Sequence, residues 1–187
     1  MSVLVRLIER ASVRKRAADL AEMRALLAPV SGVRLLDVGG GAGAATEQFA
    51  TGCAEVVVLE PNRKKVGQGR KFRPTIRFEE GRAEEIPFPD ATFDRVTAVV
   101  AFHHIEDQGR ALREMRRVLR DSGRLVLFEM LPSRAPGPIY QWIGGYRHGG
   151  HMAFHSPDQL TEKVRAGGFT RVSNRPGALG YFVLATK

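Results

Sequence analysis

The sequence predicts an α/β fold, a doubly wound and mostly parallel sheet of about seven strands with helices on both faces. Three observations carry this. Short apolar runs rich in Val, Ile and Leu alternate with helical patterns, as buried parallel strands and their crossovers do. The first such run, Val33 to Val38, breaks into a glycine cluster and then resumes with helix formers from Ala45 to Ala50. The last two runs are joined by the turn-rich Arg175-Pro176-Gly177, which predicts an antiparallel edge strand at the C-terminus.

The elements follow in order. Leu4, Leu7, Ile8 and Ala11 fall at helical spacing, so residues 2–28 read as an amphipathic N-terminal helix, packed on the domain and able to serve as a lid, with a membrane-surface helix as the other functional reading. After the glycine turn, Glu55 to Glu60 is a second strand and Arg63 to Lys71 a short basic helix. Thr75 to Glu80 is a third strand, and Ile86-Pro87-Phe88-Pro89-Asp90 a loop that its prolines keep out of any ladder. Asp94 to Ala101 is a fourth strand ending in Phe102-His103-His104, and Gly109 to Leu119 a helix stopped by Asp121-Ser122-Gly123. Arg124 to Met130 is a fifth strand, residues 131–155 a Gly-, Pro-, aromatic- and His-rich loop, and Ser156-Pro157 caps a helix running to Ala166. Strands near Thr170 to Asn174 and Tyr181 to Thr186 complete the pattern.

Composition narrows the partners. The 187 residues suggest a single domain spanning 1–187. One cysteine, Cys53, excludes an internal disulfide. With no signal-peptide pattern and no apolar run of about 20 residues, it points to a cytoplasmic protein. The net charge of +9 admits a nucleic-acid partner. A solvated arginine-rich surface is the preferred reading, because the basic residues are spread out and no nucleic-acid-binding motif accompanies them.

The glycine cluster is a ligand loop in either of two senses. Gly39-x-Gly41-x-x-Ala44 with Glu60 downstream satisfies the relaxed dinucleotide fingerprint. Asp37 opposes that reading, since a carboxylate just before the first glycine repels a pyrophosphate and suits an ammonium or sulfonium group. S-adenosylmethionine carries both, and Glu60 suits its ribose hydroxyls. A nicotinamide oxidoreductase is therefore disfavoured.

Asp37-Val38-Gly39-Gly40-Gly41-Ala42-Gly43 resembles the Asp-hydrophobic-Gly-x-Gly-x-Gly loop of the class I S-adenosylmethionine-dependent methyltransferases, which have a Rossmann-like fold. The likeness is greatest to the branch that includes the ubiquinone and menaquinone biosynthesis methyltransferases. It continues through Gly81 to Asp90, Thr92-Phe93-Asp94, Phe102 to Asp107, Leu112 to Glu129, and Ser156 to Lys187. The resemblance implies that Gly39, Gly41 and Gly43 lie along the methionine part of the cofactor and that Glu60 holds the ribose. It places Asn62 and the Ala83 N–H beside the adenine, and Ala101 and Phe102 near the transferable methyl. Each has a plainer alternative: a strand-to-helix turn for the glycines, a helix cap for Glu60, core for Phe102. Arg82 stands where many relatives carry an aspartate, and Glu84 is the candidate substitute.

Methyl transfer is an in-line displacement that rests on alignment, with a general base only where the acceptor holds its proton. All five histidines fall between residues 103 and 155. His103, just after the fourth strand, is the first candidate base and His151 the second; His104, Tyr140, Tyr146, His148 and His155 complete the set. No metal site is expected, because His148-x-x-His151-x-x-x-His155 converges only in a helix and Gly149-Gly150 opposes one. Residues 131–155 are expected to shape an acceptor pocket for an aromatic or apolar small molecule, with Arg134 and Arg147 available to an acidic group. The expected function is methyl transfer to a small molecule. The alternatives are a nucleic-acid methyltransferase and a non-catalytic S-adenosylmethionine-binding protein.

Overall fold

The computed structural model describes residues 16–29, 31–131 and 153–187. Seven strands form one sheet in the order β3-β2-β1-β4-β5-β7-β6. They are β1 (Arg34–Val38), β2 (Glu55–Glu60), β3 (Arg77–Glu80), β4 (Phe93–Val99), β5 (Leu119–Met130), β6 (Thr170–Pro176) and β7 (Gly180–Thr186). The first five pair in parallel. The helices are α1 (residues 16–27), α2 (Thr46–Phe49), α3 (Arg63–Phe72), α4 (Gln108–Val118) and α5 (Pro157–Ala166), with a 3-10 turn at Phe102–His104. Of the expected helix over 2–28, Leu4, Leu7, Ile8 and Ala11 lie outside the described residues.

Alternation along the strands sorts the helices into two layers. Leu35, Val126, Phe128 and Phe182 face α1 and α2 through Leu20, Met23, Leu27 and Phe49. Their neighbours Leu36, Leu125, Leu127 and Val183 face the opposite way, onto Leu112 and Met115 of α4 and Leu160 and Val164 of α5. α3 covers β2 and β3 through Val66, which packs with Val58 and Phe78. α5 begins on the expected cap: Ser156 Oγ accepts the Gln159 N–H at 3.3 Å, and the Gln159 side chain accepts the Ser156 N–H at 2.9 Å.

The last two strands form the expected antiparallel edge of the sheet. β6 is outermost, and β7 lies between β5 and β6, antiparallel to both. Its run Gly180-Tyr181-Phe182-Val183 is buried throughout, as an interior strand requires, whereas β6 buries only Val172 and ends on Pro176, both suited to an edge. One expectation is corrected: the Asp121-Ser122-Gly123 stop is displaced. α4 already ends at Val118, and Ser122 takes a left-handed φ of 63° inside β5, near the shift of register against β4 between Phe93 and Arg95.

The order β2-β1-β4-β5 brings the carboxyl ends of these strands to one side of the sheet. The chain leaves β1 toward β2 and leaves β4 toward β5, so a crevice opens between β1 and β4.

Candidate functional site

The glycine loop crosses that crevice. The Gly39 N–H donates to the Leu59 carbonyl at 2.7 Å. Gly39 has a φ of 73°, and a Cβ there would lie 2.7 Å from the Cβ of Ala101, so only glycine lets the ends of β1 and β4 approach this closely. Gly41, at φ 61°, has nothing nearer than Lys65 Cδ, 3.9 Å from where a Cβ would sit. The space above it is open. Gly43 belongs to packing instead, since its added Cβ would meet Phe78 Cζ at 2.8 Å.

Asp37 lies under this loop, 1 % exposed. Its Oδ2 accepts the Thr46 hydroxyl at 2.5 Å, tying β1 to the start of α2. Oδ1 is buried and has no hydrogen-bond partner. Burial pushes the carboxyl up to about 7; the Thr46 hydroxyl works against this and the nearby Glu60 charge adds to it.

Glu60, at the end of β2, is also buried. Oε2 accepts the Gly41 N–H and Oε1 the Asn62 N–H, both at 3.0 Å, so one carboxylate joins the glycine loop to the start of α3. Asn62 caps that helix, its Oδ1 accepting from the Lys64 and Lys65 N–H groups. Glu60 and Asn62 line a cleft of about 540 Å³ together with Gly39, Ala83, Glu84, Val100, Ala101 and His104. Arg82 reaches across its rim, pairing with Glu84 at 3.1 Å and Glu106 at 2.8 Å. Burial disfavours the Glu84 charge, but hydrogen bonds from its own backbone, from Arg82 and from the Asp107 N–H outweigh this and hold its carboxyl below the usual range.

A second cavity of about 480 Å³ lies on the other side of Gly39 and Val100, which border both. Asp37 and the loop residues Gly39 to Ala42 form one wall. Leu20 and Met23 of α1, Phe128, Met130, Phe154 and Leu179 make the rest largely apolar, with Arg16, Asp19 and His103 as its other polar members. Val100 is a finding the sequence did not signal. It is a β-branched residue at a φ of 51°, 38 % exposed, with its N–H donating to the Phe128 carbonyl at 2.7 Å. Such backbone strain, held by a short hydrogen bond between two cavities, accumulates at functional sites.

His103, 5 % exposed, lines the second cavity. Its Nδ1 lies 2.7 Å from Glu129 Oε2, and Phe154 stacks on it with centroids 4.5 Å apart. Glu129 was missed because it reads as the polar end of an apolar strand. Its Oε1 accepts the Phe102 N–H at 2.8 Å. Phe102 itself turns into the core, fully buried among Leu36, Val96 and Leu112, and borders neither cavity with its ring. His155 bonds Gln108 Oε1 through Nε2 at 2.7 Å, while burial and then Lys163 lower its pKa. His151, His148, Tyr140, Trp142, Tyr146, Arg134 and Arg147 lie outside the described residues.

The residues fit S-adenosylmethionine on three structural grounds. Asp37 has an orphaned carboxylate oxygen beneath the loop. Gly41 leaves space. Glu60 uses two of its roughly four lone-pair sites on backbone donors, leaving acceptors for a pair of hydroxyls.

Comparison with known proteins agrees with this fit. Residues 36–127 match the family described as "Methyltransferase domain". The Uncharacterized methyltransferase YcgJ of Bacillus subtilis is 36% identical over 101 residues, covering 51% of this chain and 40% of the relative. Demethylmenaquinone methyltransferase of Thermotoga maritima is 32% identical over 136 residues, covering 62% and 59%. The crystal structure of YcgJ superposes with a TM-score of 0.70 at 26% identity, covering 83% of this chain and 68% of that one. The chain spans about half the length of the curated relatives it matches. Loop, sheet order and relatives converge on the class I S-adenosylmethionine-dependent methyltransferases, and the chain resembles their ubiquinone/menaquinone biosynthesis branch.

Proposed function

We propose that the protein transfers the methyl group of S-adenosylmethionine to an apolar or ring-containing small molecule. One observation carries this reading: a polar cleft and a largely apolar cavity meet at Gly39 and Val100, with His103 on the apolar side. Glu60, Asn62 and the Ala83 segment hold the adenosine half. Asp37 and the glycine loop hold the charged methionine end. Leu20, Met23, Phe128, Met130 and Phe154 surround the acceptor, so α1 serves as one wall of its pocket. When bound, the cofactor supplies a methyl carbon made electrophilic by its sulfonium, so the protein's task is alignment and exclusion of water, worth roughly 7–11 kcal/mol. His103 takes the proton of the acceptor. Residues 1–187 work as one domain, in the cytoplasm, and no helix among the described residues is long and apolar enough to cross a membrane.

The test is a methyl-incorporation screen with radiolabelled donor across aromatic and apolar acceptors, alongside calorimetry with S-adenosylmethionine and NAD. Binding of NAD alone would sink the cofactor assignment. A nucleic-acid acceptor draws on α3, which carries Arg63, Lys64, Lys65, Arg70 and Lys71 with no acidic residue of its own; Lys65 lies 4.0 Å from Glu60 Oε1, and Phe72 is 65 % exposed. Steeply salt-dependent RNA binding with methyl incorporation into the RNA would favour that acceptor.

A further inference from the structure

We infer that Glu129 is a positioning residue that keeps the proton of His103 on Nδ1, so that Nε2 faces the acceptor cavity as a proton acceptor. The inference rests on the reading of His103 as the base of this site and adds the group that makes it one.

The geometry is specific. Glu129 is the penultimate residue of β5, the 3-10 turn carrying His103 follows β4, and the two strands are hydrogen-bonded neighbours. Glu129 spans them with both oxygens. Oε1 takes the Phe102 N–H at 2.8 Å, a donor that cannot change its role. Oε2 faces His103 Nδ1 at 2.7 Å. Both side chains are almost fully buried, 6% and 4% exposed. An ionised carboxylate only accepts, so Nδ1 must be the donor, and the neutral ring then carries its lone pair on Nε2. The ring plane is set from the other side by Phe154, stacked at an interplanar angle of 17°, and by the Ala153 N–H, which donates to the His103 carbonyl at 2.9 Å. Among the described residues no hydrogen bond is made by Nε2, and the ring forms part of the wall of the cavity that holds Val100 and Phe128.

The chemistry follows from this arrangement. An acceptor X–H passes its proton to Nε2 and keeps the bonding pair; the imidazole becomes imidazolium beside the Glu129 charge, and the proton later returns to water. An acceptor whose attacking atom already carries a free lone pair and no proton has no use for this pair. The acceptor class is therefore one whose attacking atom must shed a proton, such as a hydroxyl or an activated C–H compound.

Glu129→Gln separates this role from packing. The glutamine amide keeps the shape but has one acceptor oxygen for two donors. The Phe102 N–H claims that oxygen, the amide NH2 turns to Nδ1, and the proton of His103 moves to Nε2, the wrong atom for a base. A wrong tautomer of this kind lowers turnover on the order of 10⁴-fold in a serine protease triad. The readout is the tautomer itself, from long-range ¹H–¹⁵N correlation spectra of histidine-labelled protein without cofactor. The sample is held near about pH 8, where a typical imidazole is neutral, and the signal is identified by its loss in His103→Asn. The expected result is the Nδ1–H pattern in the wild type and Nε2–H in Glu129→Gln. A wild-type ring already in the Nε2–H form overturns the inference without any need for the variant to fold, and an unchanged pattern in a folded Glu129→Gln overturns it too. Because the protein alone is measured, a failure to find methyl transfer removes the functional reading and leaves the tautomer assignment standing.

Discussion

Thr46 donates its hydroxyl to Asp37 Oδ2 at 2.5 Å, while Oδ1 of the same buried carboxyl has no partner. An acid held at about 7 in the fold, against an ordinary value near 3.8, keeps a proton that the unfolded chain releases. The native state binds more protons between those values, so stability falls as pH rises from about 4 to 7 and is level above. The sum is of the order of a few kcal/mol. Urea midpoints of the wild type should therefore drop between about pH 5 and pH 8 relative to those of Asp37→Asn, whose own cost is independent of pH. Parallel pH slopes for the two proteins would show that Asp37 does not titrate in this range.

The same carboxyl should report the charge of the ligand above it. A cationic methionine end favours the ionised form, so S-adenosylmethionine binding near about pH 6.5 should release a fraction of a proton. Calorimetry in two buffers of different ionisation enthalpy measures this directly. The released fraction should vanish in Asp37→Asn, and an uptake of protons would contradict the placement of the cation.

Glu60 and Arg82 make a contrasting pair. Glu60→Gln leaves one acceptor oxygen to meet the Gly41 and Asn62 N–H groups, at a cost of about 1–3 kcal/mol for the group left unpaired. Cofactor affinity should weaken about fivefold or more, ~1 kcal/mol being a factor of about five. Arg82→Ala breaks two ion pairs of an exposed side chain, each worth about 0–1 kcal/mol. It should change affinity little despite lying on the cleft rim.

Val100 sits at a φ of 51°, whereas Val99 beside it ends a regular strand. Val100→Gly loses some buried area but recovers roughly 1–3 kcal/mol of backbone strain. Its net change in stability should stay within about 1 kcal/mol, while Val99→Gly should cost about 2 kcal/mol or more. Thermal unfolding of the two variants decides the matter; equal losses would mean that the left-handed backbone at Val100 carries no strain.

The strands and the glycine loop were legible because local chemistry specifies them. An apolar run followed by glycines is a strand and a turn in almost any context, and Ser156-Pro157 announces a cap. The insertion of β7 was harder, since it depends on which strand has two faces to bury, a property of the assembled sheet. Asp37 and Glu60 could be singled out from spacing alone. The partners they keep, Thr46 in one case and the Gly41 and Asn62 backbone in the other, come from the way the loop folds back on itself. Glu129 lies 26 residues beyond His103, and nothing between them in the chain signals that β4 and β5 will bring the two side chains together. Phe102, for which core was the plainer alternative, is the opposite case: its side chain is fully buried and it lines neither cavity.

The link between α1 and the β6–β7 turn has a kinetic consequence. Asp19 accepts the Ala178 and Leu179 N–H groups at 2.6 and 2.9 Å, across separations of 159 and 160 residues. Glu22 and Arg175 form an ion pair alongside at 2.8 Å. Closing so long a loop is entropically costly and comes after local structure, so this wall of the apolar cavity should assemble late and be the part of the sheet's surroundings released first. The amide protons of Ala178 and Leu179 thus act as clocks on that release. Their exchange with deuterated solvent times the opening of the chamber, separately from the slower breathing of the strands beneath it.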